Sequence, residues 1–444
     1  MQSDVPKIAQ LIAGQSMFAY VVQAVEAVEA VNLNYTALLI NPSLTSFIPA
    51  SLSKHLTILE QKSPKGTAHA VMEAESFFKQ KVDHLIIIGA DCPLISAGSI
   101  QALLEHHIKT LSSVSFLSSS LCSSEDMGVV NRDADGTIMS VSERNDNSVI
   151  DDHKTSLELN SGIYCFEATW LWSHLSAIEP ADSGELQLPD LISVAYAQRK
   201  PASAIDPVEP TDIFGVNTAS QLAQAETWMF QRHNKILTTK GVRIHGTDSV
   251  YIDSTVEVGK GSVIRPNTII QGNSRVAPNC VLGPNTSVTD TFIGEGSRVE
   301  NSTSSGVSMG RNVRVGPYCN LRPGTIIEDG VVIGTGVEIK NSHIGNGSNI
   351  HHFSYIGDCD MGSDVNVGAG TVTCNYDGET KHKTVIGKGA FIGSSSMLVA
   401  PVTVGELART GAGSVVVEDV PPRALVFGVP ASLHSQDPES EAVG

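Results

Sequence analysis

The sequence predicts two folds in succession, an α/β domain with helices on both faces of its sheet and then a parallel β-helix. Three observations carry the prediction. The chain changes character near residue 240. Before that point, amphipathic helical runs alternate with short apolar runs; after it, aliphatic residues recur at intervals of six. The composition agrees: aromatics are 5% and glycines number 39, which suits short, evenly turned elements better than bulky cores.

In the first half, helical runs are expected over 8–31, 67–80, 99–111 and 220–237. Buried strands are expected over 36–40, 85–88, 114–117 and 163–166. Such alternation indicates an α/β sheet covered on both faces. The first helix has a ready start, with Ser3 or Asp4 as cap and Pro6 in its first turn. A doubly wound domain usually opens on a strand whose following loop binds phosphate, whereas this chain opens on a helix.

In the second half, Ile252, Val258, Ile264, Ile270, Val276, Leu282 and Val288 keep one register. So do Val315, Leu321, Ile327, Ile333 and Ile339, then Ile344, Ile350 and Ile356, and finally Ile386, Ile392, Leu398 and Val404. On a helix, six residues turn through about 600° and the side chains spiral. On an extended chain, six is even and all of them point to one side. A coil with three short sides and one inward aliphatic per side follows. Each such side chain is worth roughly 1.5–3 kcal/mol when buried. A β-sandwich with accidental spacing would not hold the register over seven consecutive positions. The period breaks at Cys374–Val385, C-N-Y-D-G-E-T-K-H-K-T-V, read as a polar insertion of about two repeat units. It is either a functional loop or a plain surface excursion.

The net charge of −18 argues against nucleic acid as the main partner, because phosphate backbones need clustered cations. The seven cysteines are scattered without a C-x-x-C pair, so neither a disulfide framework nor a zinc knuckle is expected, and a reducing cytoplasm is. No run approaches the roughly 20 apolar residues of a membrane span.

Three stretches have chemistry to offer. Asp91, in G-A-D-C-P-L after the strand 85–88, would face the crevice at a strand's C-terminal end. One carboxylate there suits Mg²⁺, or it is a turn aspartate before a proline. Gly66-Thr67 opens a helix and offers free N–H groups to an anion or a base edge, or it is only a cap. His352, in N-I-H-H-F-S-Y-I-G-D, is a candidate general base, or a solvated corner residue. Arg322 and Lys340 lie 30 and 12 residues upstream of it. With about 18 residues per coil, all three fall in neighbouring coils. Two cations beside a histidine and Tyr355 suggest a phosphate-bearing substrate with a proton to lose.

Together these residues resemble the bacterial family of bifunctional N-acetylglucosamine-1-phosphate uridyltransferases and glucosamine-1-phosphate N-acetyltransferases. The strongest match is V-N-V-G-A-G-T-V-T-C-N-Y-D-G at 365–378. L-R-P-G (321–324), H-F-S-Y-I-G-D (352–358), V-A-P-V-T-V-G (399–405) and S-D-V-P-K (3–7) support it. G-T-A-H-A, A-D-C-P-L-I-S, L-N-S-G-I and G-V-N match more loosely. The resemblance implies a Rossmann-like nucleotidyltransferase domain over 1–217, a linking helix over 218–240, a left-handed β-helix of hexapeptide repeats over 241–432, and a tail over 433–444.

It implies acetyl transfer from acetyl-CoA to glucosamine 1-phosphate, then uridylyl transfer from UTP to N-acetylglucosamine 1-phosphate. It also implies a cytoplasmic homotrimer that serves cell-wall and lipopolysaccharide precursor synthesis, with Mg²⁺ as cofactor. Carried over by motif, His352 is the catalytic base. Arg322, Lys340, Tyr355, Asn366, Asn375 and Tyr376 bind the amino sugar phosphate. Ala369, Ser394 and Ala412 line the acetyl-CoA groove. Asp91 and Asn217 hold Mg²⁺. Gln61, Gly66 and Thr67 read the uracil; Gly128, Glu143 and Asn160 contact the sugar; Lys7 meets the phosphates.

The sequence departs from the family at Ala90, Val129 and Gly428, where glycine, arginine and arginine are usual. The family's opening loop, L-A-A-G-x-G-T-R-M, ends where Met1 stands. The chain as written is therefore expected to be a poor uridyltransferase, with roughly a dozen or more residues upstream in the natural protein. Two other readings remain open at this level: a nucleotidyltransferase for another sugar 1-phosphate with a structural β-helix, and a non-catalytic trimeric scaffold that binds a sugar nucleotide.

Overall fold

The computed structural model describes residues 5–28, 35–48, 56–63, 65–120, 127–142, 157–181, 183–200 and 202–436. The chain forms two compact units, Met1–Thr227 and Trp228–Gly444.

The first unit opens on a 3-10 turn, Lys7–Ala9, and a small hairpin, β1 (Leu11–Ile12) with β2 (Gln15–Ser16). The helix expected from Ile8 begins only at Met17, as α1 (Met17–Glu26), and the candidate caps Ser3 and Asp4 lie outside the described residues. The reason is local. Ala13 and Gly14 both take positive φ, 43° and 87°, as a two-residue hairpin turn requires and a right-handed helix forbids. Tyr20 braces the turn, its hydroxyl donating to the Ile12 and Ala13 carbonyls.

Then follow β3 (Ala37–Ile40), β4 (Thr57–Glu60), α2 (Thr67–Glu73), α3 (Glu75–Phe78), β5 (His84–Ile87), α4 (Ala97–Thr110) and β6 (Val114–Ser119). The unit continues with β7 (Val129–Arg132), β8 (Ile138–Ser142), β9 (Leu159–Glu167), α5 (Ala168–His174), α6 (Asp190–Ala197) and β10 (Ala202–Ile205). Helix α7 (Ala219–Thr239) follows and carries the chain from the first unit into the second.

The sheet is mixed rather than parallel. β9 runs antiparallel to β5, β6 and β7, while β10 is parallel to β6; β3 and β4 pair parallel in a separate two-stranded sheet. The apolar run 163–166 correctly marks a strand buried on both faces. Burial on both faces carries no information about direction, so the run alone left the direction of β9 open.

A histidine pair, His107 buried and His84 half-buried, joins β5 to the end of α4. The His84 and His107 rings meet edge to face at 5.1 Å, and His107 Nδ1 lies 2.8 Å from the Ser115 hydroxyl. His107 is 1% exposed. Burial, then the nearby His84 and His106, push it down from 6.5 to about 4. The folded chain therefore binds fewer protons than the unfolded chain between those values. Its contribution is intact above pH 6.5 and is lost as pH falls towards 4, by up to ~3 kcal/mol. Urea unfolding of the first unit is expected to show this slope, and His107→Gln to flatten it.

The second unit is a left-handed parallel β-helix. Three parallel sheets of 12, 10 and 9 strands form its faces, the last strand of the first sheet turning back antiparallel. Equivalent residues step by 17 or 18 positions in most coils, as in Val281↔Arg298 and Thr268↔Thr286. Every aliphatic of the six-residue series is buried except Val258, which packs partly buried against the same core.

A second inward position, two residues earlier in the hexapeptide, escaped the period because small residues of mixed polarity fill it. Val256, Cys280, Val313, Cys319, Val331, Val337, Cys359, Val365, Ala390 and Ala408 are buried there, as are Ser262 and Ser348. Burial pushes the Cys359 thiol up to about 12, so that cysteine is packing, not chemistry. The insertion is smaller than expected. Asn366 pairs with Phe391, 25 positions on, so it adds little more than one hexapeptide to the coil. Its turn is closed by an antiparallel bridge between Tyr376 and Lys381.

Candidate active sites

In the first unit, Lys7, Asp91 and Asn217 meet. The Lys7 ammonium donates to Asp91 Oδ2 at 2.6 Å and to Asn217 Oδ1 at 2.5 Å. Two loops bring the oxygens together, and the Val216 N–H donates to the Asp91 carbonyl at 2.9 Å. Gly89 leaves room for the carboxylate, since a Cβ on it would stand 2.6 Å from Asp91 Oδ1. A cavity of about 830 Å³ is lined by Gln61, Thr67, Asp91, Gly128, Asn160 and Asn217, among others.

Within it, the Gln61 amide lies 3.0 Å from His69 Nδ1, and the Asn160 amide donates to the Tyr164 hydroxyl at 2.7 Å. The Asn160 N–H donates to the Gly128 carbonyl at 2.8 Å, tying these two together. Glu143 lies outside the described residues.

The Gly66-Thr67 corner is not an open set of donors. The Ala68 N–H is taken by the Leu186 carbonyl at 2.9 Å, and the Thr67 hydroxyl accepts from the Leu188 N–H at 2.9 Å. Gly66 has φ +100°, and a Cβ on it would collide with that same Leu186 carbonyl oxygen. The close approach of segment 186–188 explains this glycine, a tertiary cause with no trace in the local motif.

In the second unit, His352, Ala369, Ser394 and Ala412 occupy the same corner of successive coils. The Gly370 N–H donates to the His352 carbonyl, Ser395 to Ala369, and Gly413 to Ser394. Adjacent coils are about 4.8 Å apart, so the four residues form one continuous column. The His352 side chain is exposed, with the His351 ring 5.8 Å away.

At the far end of the adjoining face, Arg322, Lys340 and Gly357 stack in register, Lys340 opposite Gly357. Gly357 leaves a hollow. A Cβ there would stand 2.5 Å from the Tyr355 hydroxyl and 2.7 Å from the Asn375 amide nitrogen. That amide also donates to Asp358 at 2.5 Å, and Arg322 pairs with Glu338 at 2.8 Å.

Lys381 lies beside Lys340. Contact with it, then its charge repulsion, lower the Lys340 pKa from its ordinary value, with desolvation and Arg322 adding to the effect and Asp358 opposing it. Three cations gathered this closely call for an anion. Lys381, Asp358 and Glu338 went unpredicted. Lys381 sits in the insertion, where no period locates a side chain, whereas Glu338 stands two places before Lys340 on the same strand and was legible as its outward neighbour.

Asn366 points outward from the first face, between Asn349 and Phe391 in register. Tyr376 is exposed in the insertion, its hydroxyl donating to the Gly378 carbonyl at 2.6 Å. Ala90 lines the 830 Å³ cavity, Val129 begins β7, and Gly428 takes φ +113° at the start of the final turn.

A nucleotidyl transferase family model matches residues 3–225, and a bacterial transferase hexapeptide model, of six repeats, matches 306–341. The bifunctional protein GlmU of Syntrophomonas wolfei is 38% identical over 426 residues, 96% of this chain and 94% of that protein. The chain belongs to the bifunctional GlmU family. Its GlmU relative from Carboxydothermus hydrogenoformans is 36% identical across 98% of this chain and 96% of its own length. That from Caldanaerobacter subterraneus is 37% identical across 96% and 92%. Among solved structures, a CMP:2-keto-3-deoxy-manno-octonic acid synthetase with CTP aligns at 16% identity and a TM-score of 0.38, covering 52% of this chain and 95% of its own. As a GlmU protein, the chain is an enzyme with uridyltransferase and acetyltransferase activities in UDP-N-acetylglucosamine synthesis.

Proposed function

We propose that the second unit acetylates glucosamine 1-phosphate at the column headed by His352 and that the first unit uridylylates the product beside Asp91. The observation that carries the first reading is the cation group Arg322, Lys340 and Lys381 next to Tyr355 and Asn375, with Tyr355 three residues along the chain from a solvent-facing histidine. The sugar phosphate satisfies the cations. The exposed imidazole of His352 takes the proton of the amine, whose nitrogen bonds to the acetyl carbon as the C–S bond of acetyl-CoA breaks, and the proton passes to the departing thiolate. Ala369, Ser394 and Ala412 are small, so a thioester arm can lie along their column. Asn366 and Tyr376 flank this region from the first face and the insertion.

In the first unit, the phosphate oxygen of N-acetylglucosamine 1-phosphate attacks the α-phosphorus of UTP and pyrophosphate leaves. Lys7 meets phosphate charge, Gln61, Gly66 and Thr67 frame the base, and Gly128, Glu143 and Asn160 contact the sugar. The residues fit Mg²⁺. Asp91 Oδ2 and Asn217 Oδ1 are hard oxygen donors already converged on one cation, the Lys7 ammonium, which stands in for the ion. Bound there, the ion would neutralise charge on the transferring phosphoryl group.

Separate assays of thiol release from acetyl-CoA and of pyrophosphate release from UTP test the two halves. The assembly is a homotrimer through the flat faces of the β-helix, and a sedimentation mass of one chain at micromolar concentration would count against it. No helix among the described residues is long and apolar enough to cross a membrane, and the six described cysteines are free, which supports a cytoplasmic setting.

Gly357→Ala is expected to fold normally, because its Cβ meets only the ends of two movable side chains. It should raise the KM for glucosamine 1-phosphate about tenfold by displacing Tyr355 and Asn375, since small misplacements in a site are costly. Steady-state acetyl-transfer kinetics check this.

A further inference from the structure

Asp212 is the buried acid of the first unit that the site above does not use. It is 0% exposed, in the short 3-10 turn Pro210–Ile213. Leaving a carboxylate there without compensation would be expensive. Two of its partners come from the start of α4. The hydroxyls of Ser96 and Ser99 both donate to Asp212 Oδ2, the second at 2.7 Å. Ser96 is the N-cap of this 14-residue helix and accepts from the Ser99 N–H. The Ser99 hydroxyl in turn accepts from the Val208 N–H at 2.7 Å. Charge-assisted bonds of this kind are about twice as strong as neutral ones, and the helix N-terminus favours the negative charge.

The connectivity gives the cluster its meaning. Ser96 lies five residues after Asp91, and Asn217 lies five residues after Asp212. Asp212 bonds to Ser96, and the Val216 N–H bonds to the Asp91 carbonyl. Two loops of equal length are thus joined at both ends into a closed ring, with Asp91 and Asn217 side by side at one end and Asp212 at the other. At the site end, both oxygens reach one ammonium within 2.6 Å. The convergence of two oxygens from different loops depends on what holds the loops together.

We infer that Asp212 is a positioning residue for uridylyl transfer: through Ser96 and Ser99 it sets the spacing of Asp91 and Asn217. This rests on the reading of those two residues as the cation ligands. The carboxylate matters because both hydroxyls donate to its one oxygen, Oδ2, and an asparagine in its place keeps an acceptor there but loses the charge that strengthens both bonds, so the ring loosens without losing bulk.

The experiment measures Mn²⁺ alone, by the loss of its free-ion EPR signal, on the full chain and on Asp212→Asn, Ser99→Ala and Asp91→Asn. Thermal unfolding and acetyl transfer are recorded in parallel. Asp212→Asn is expected to weaken Mn²⁺ binding about tenfold while acetyl transfer is unchanged. Ser99→Ala, which keeps the carboxylate and removes one donor, should give a smaller shift in the same direction. A mere loss of stability would lower the unfolding temperature without moving Mn²⁺ affinity in chains that remain folded at the assay temperature. Wild-type Mn²⁺ affinity in folded Asp212→Asn, with binding lost in Asp91→Asn, overturns the positioning role. Wild-type affinity in Asp91→Asn overturns the cation-ligand reading itself, and the role of Asp212 with it. If Asp212→Asn does not fold, Ser99→Ala decides by the same comparison.

Discussion

Replacing His352 with alanine is expected to lower acetyl transfer by about 10²–10⁴-fold, the contribution of a positioned general base. A glucosamine amine is mostly protonated at neutral pH, and only the neutral form attacks a thioester. The ring is exposed, and its column neighbours Ala369, Ser394 and Ala412 are untouched by the change. Acetyl-CoA binding should therefore persist, and so should the fold, because the side chain lies outside the coil. Thiol release with glucosamine 1-phosphate measures the loss. Retention of more than about a tenth of the turnover would remove His352 from the chemistry.

The second large effect is expected at Asp91. Asp91→Asn keeps the size of the side chain and removes its charge. The Lys7–Asp91 pair is about one-third exposed on both sides, and pairs of that kind contribute only about 0–1 kcal/mol to stability. The fold is therefore nearly indifferent to the change. Catalysis is not, because removing one preorganised electrostatic group typically costs about 10²–10³-fold. Pyrophosphate release should fall by that factor relative to the unsubstituted chain, while thiol release from acetyl-CoA stays at its starting rate. An equal fall in both assays would point to general damage and not to the site.

The two sites differ in how much of them was legible. In the β-helix, counting placed His352 in the coils next to Arg322 and Lys340, whereas Ala369, Ser394 and Ala412 came only from the resemblance. The insertion makes the step from Asn366 to its partner Phe391 25 residues, so a fixed period does not carry across it. The insertion was legible only as a break. Its polar residues obey no period, so Lys381 could not be put beside Lys340 by counting.

In the first unit, the members Lys7, Asp91 and Asn217 stand far apart in sequence, and only the resemblance joined them before the structure did. The Gly66 corner was legible as a helix start and no further, because an open helix start and one covered by segment 186–188 have the same local sequence. The first helix was misplaced for a related reason. Apolar spacing continued through Leu11 and Ile12, and the turn at Ala13-Gly14 outweighed it.

The sequence by itself determined the solenoid. Where every coil repeats the same local choice, the pairing partner of each residue lies about one coil away and periodicity is equivalent to contact. It determined neither the direction of β9 nor the ring that ties Asp212 to Ser96. Those depend on which distant segments meet. A buried run such as 163–166 satisfies its apolar faces equally well in either direction, so the choice falls to the packing of the whole unit.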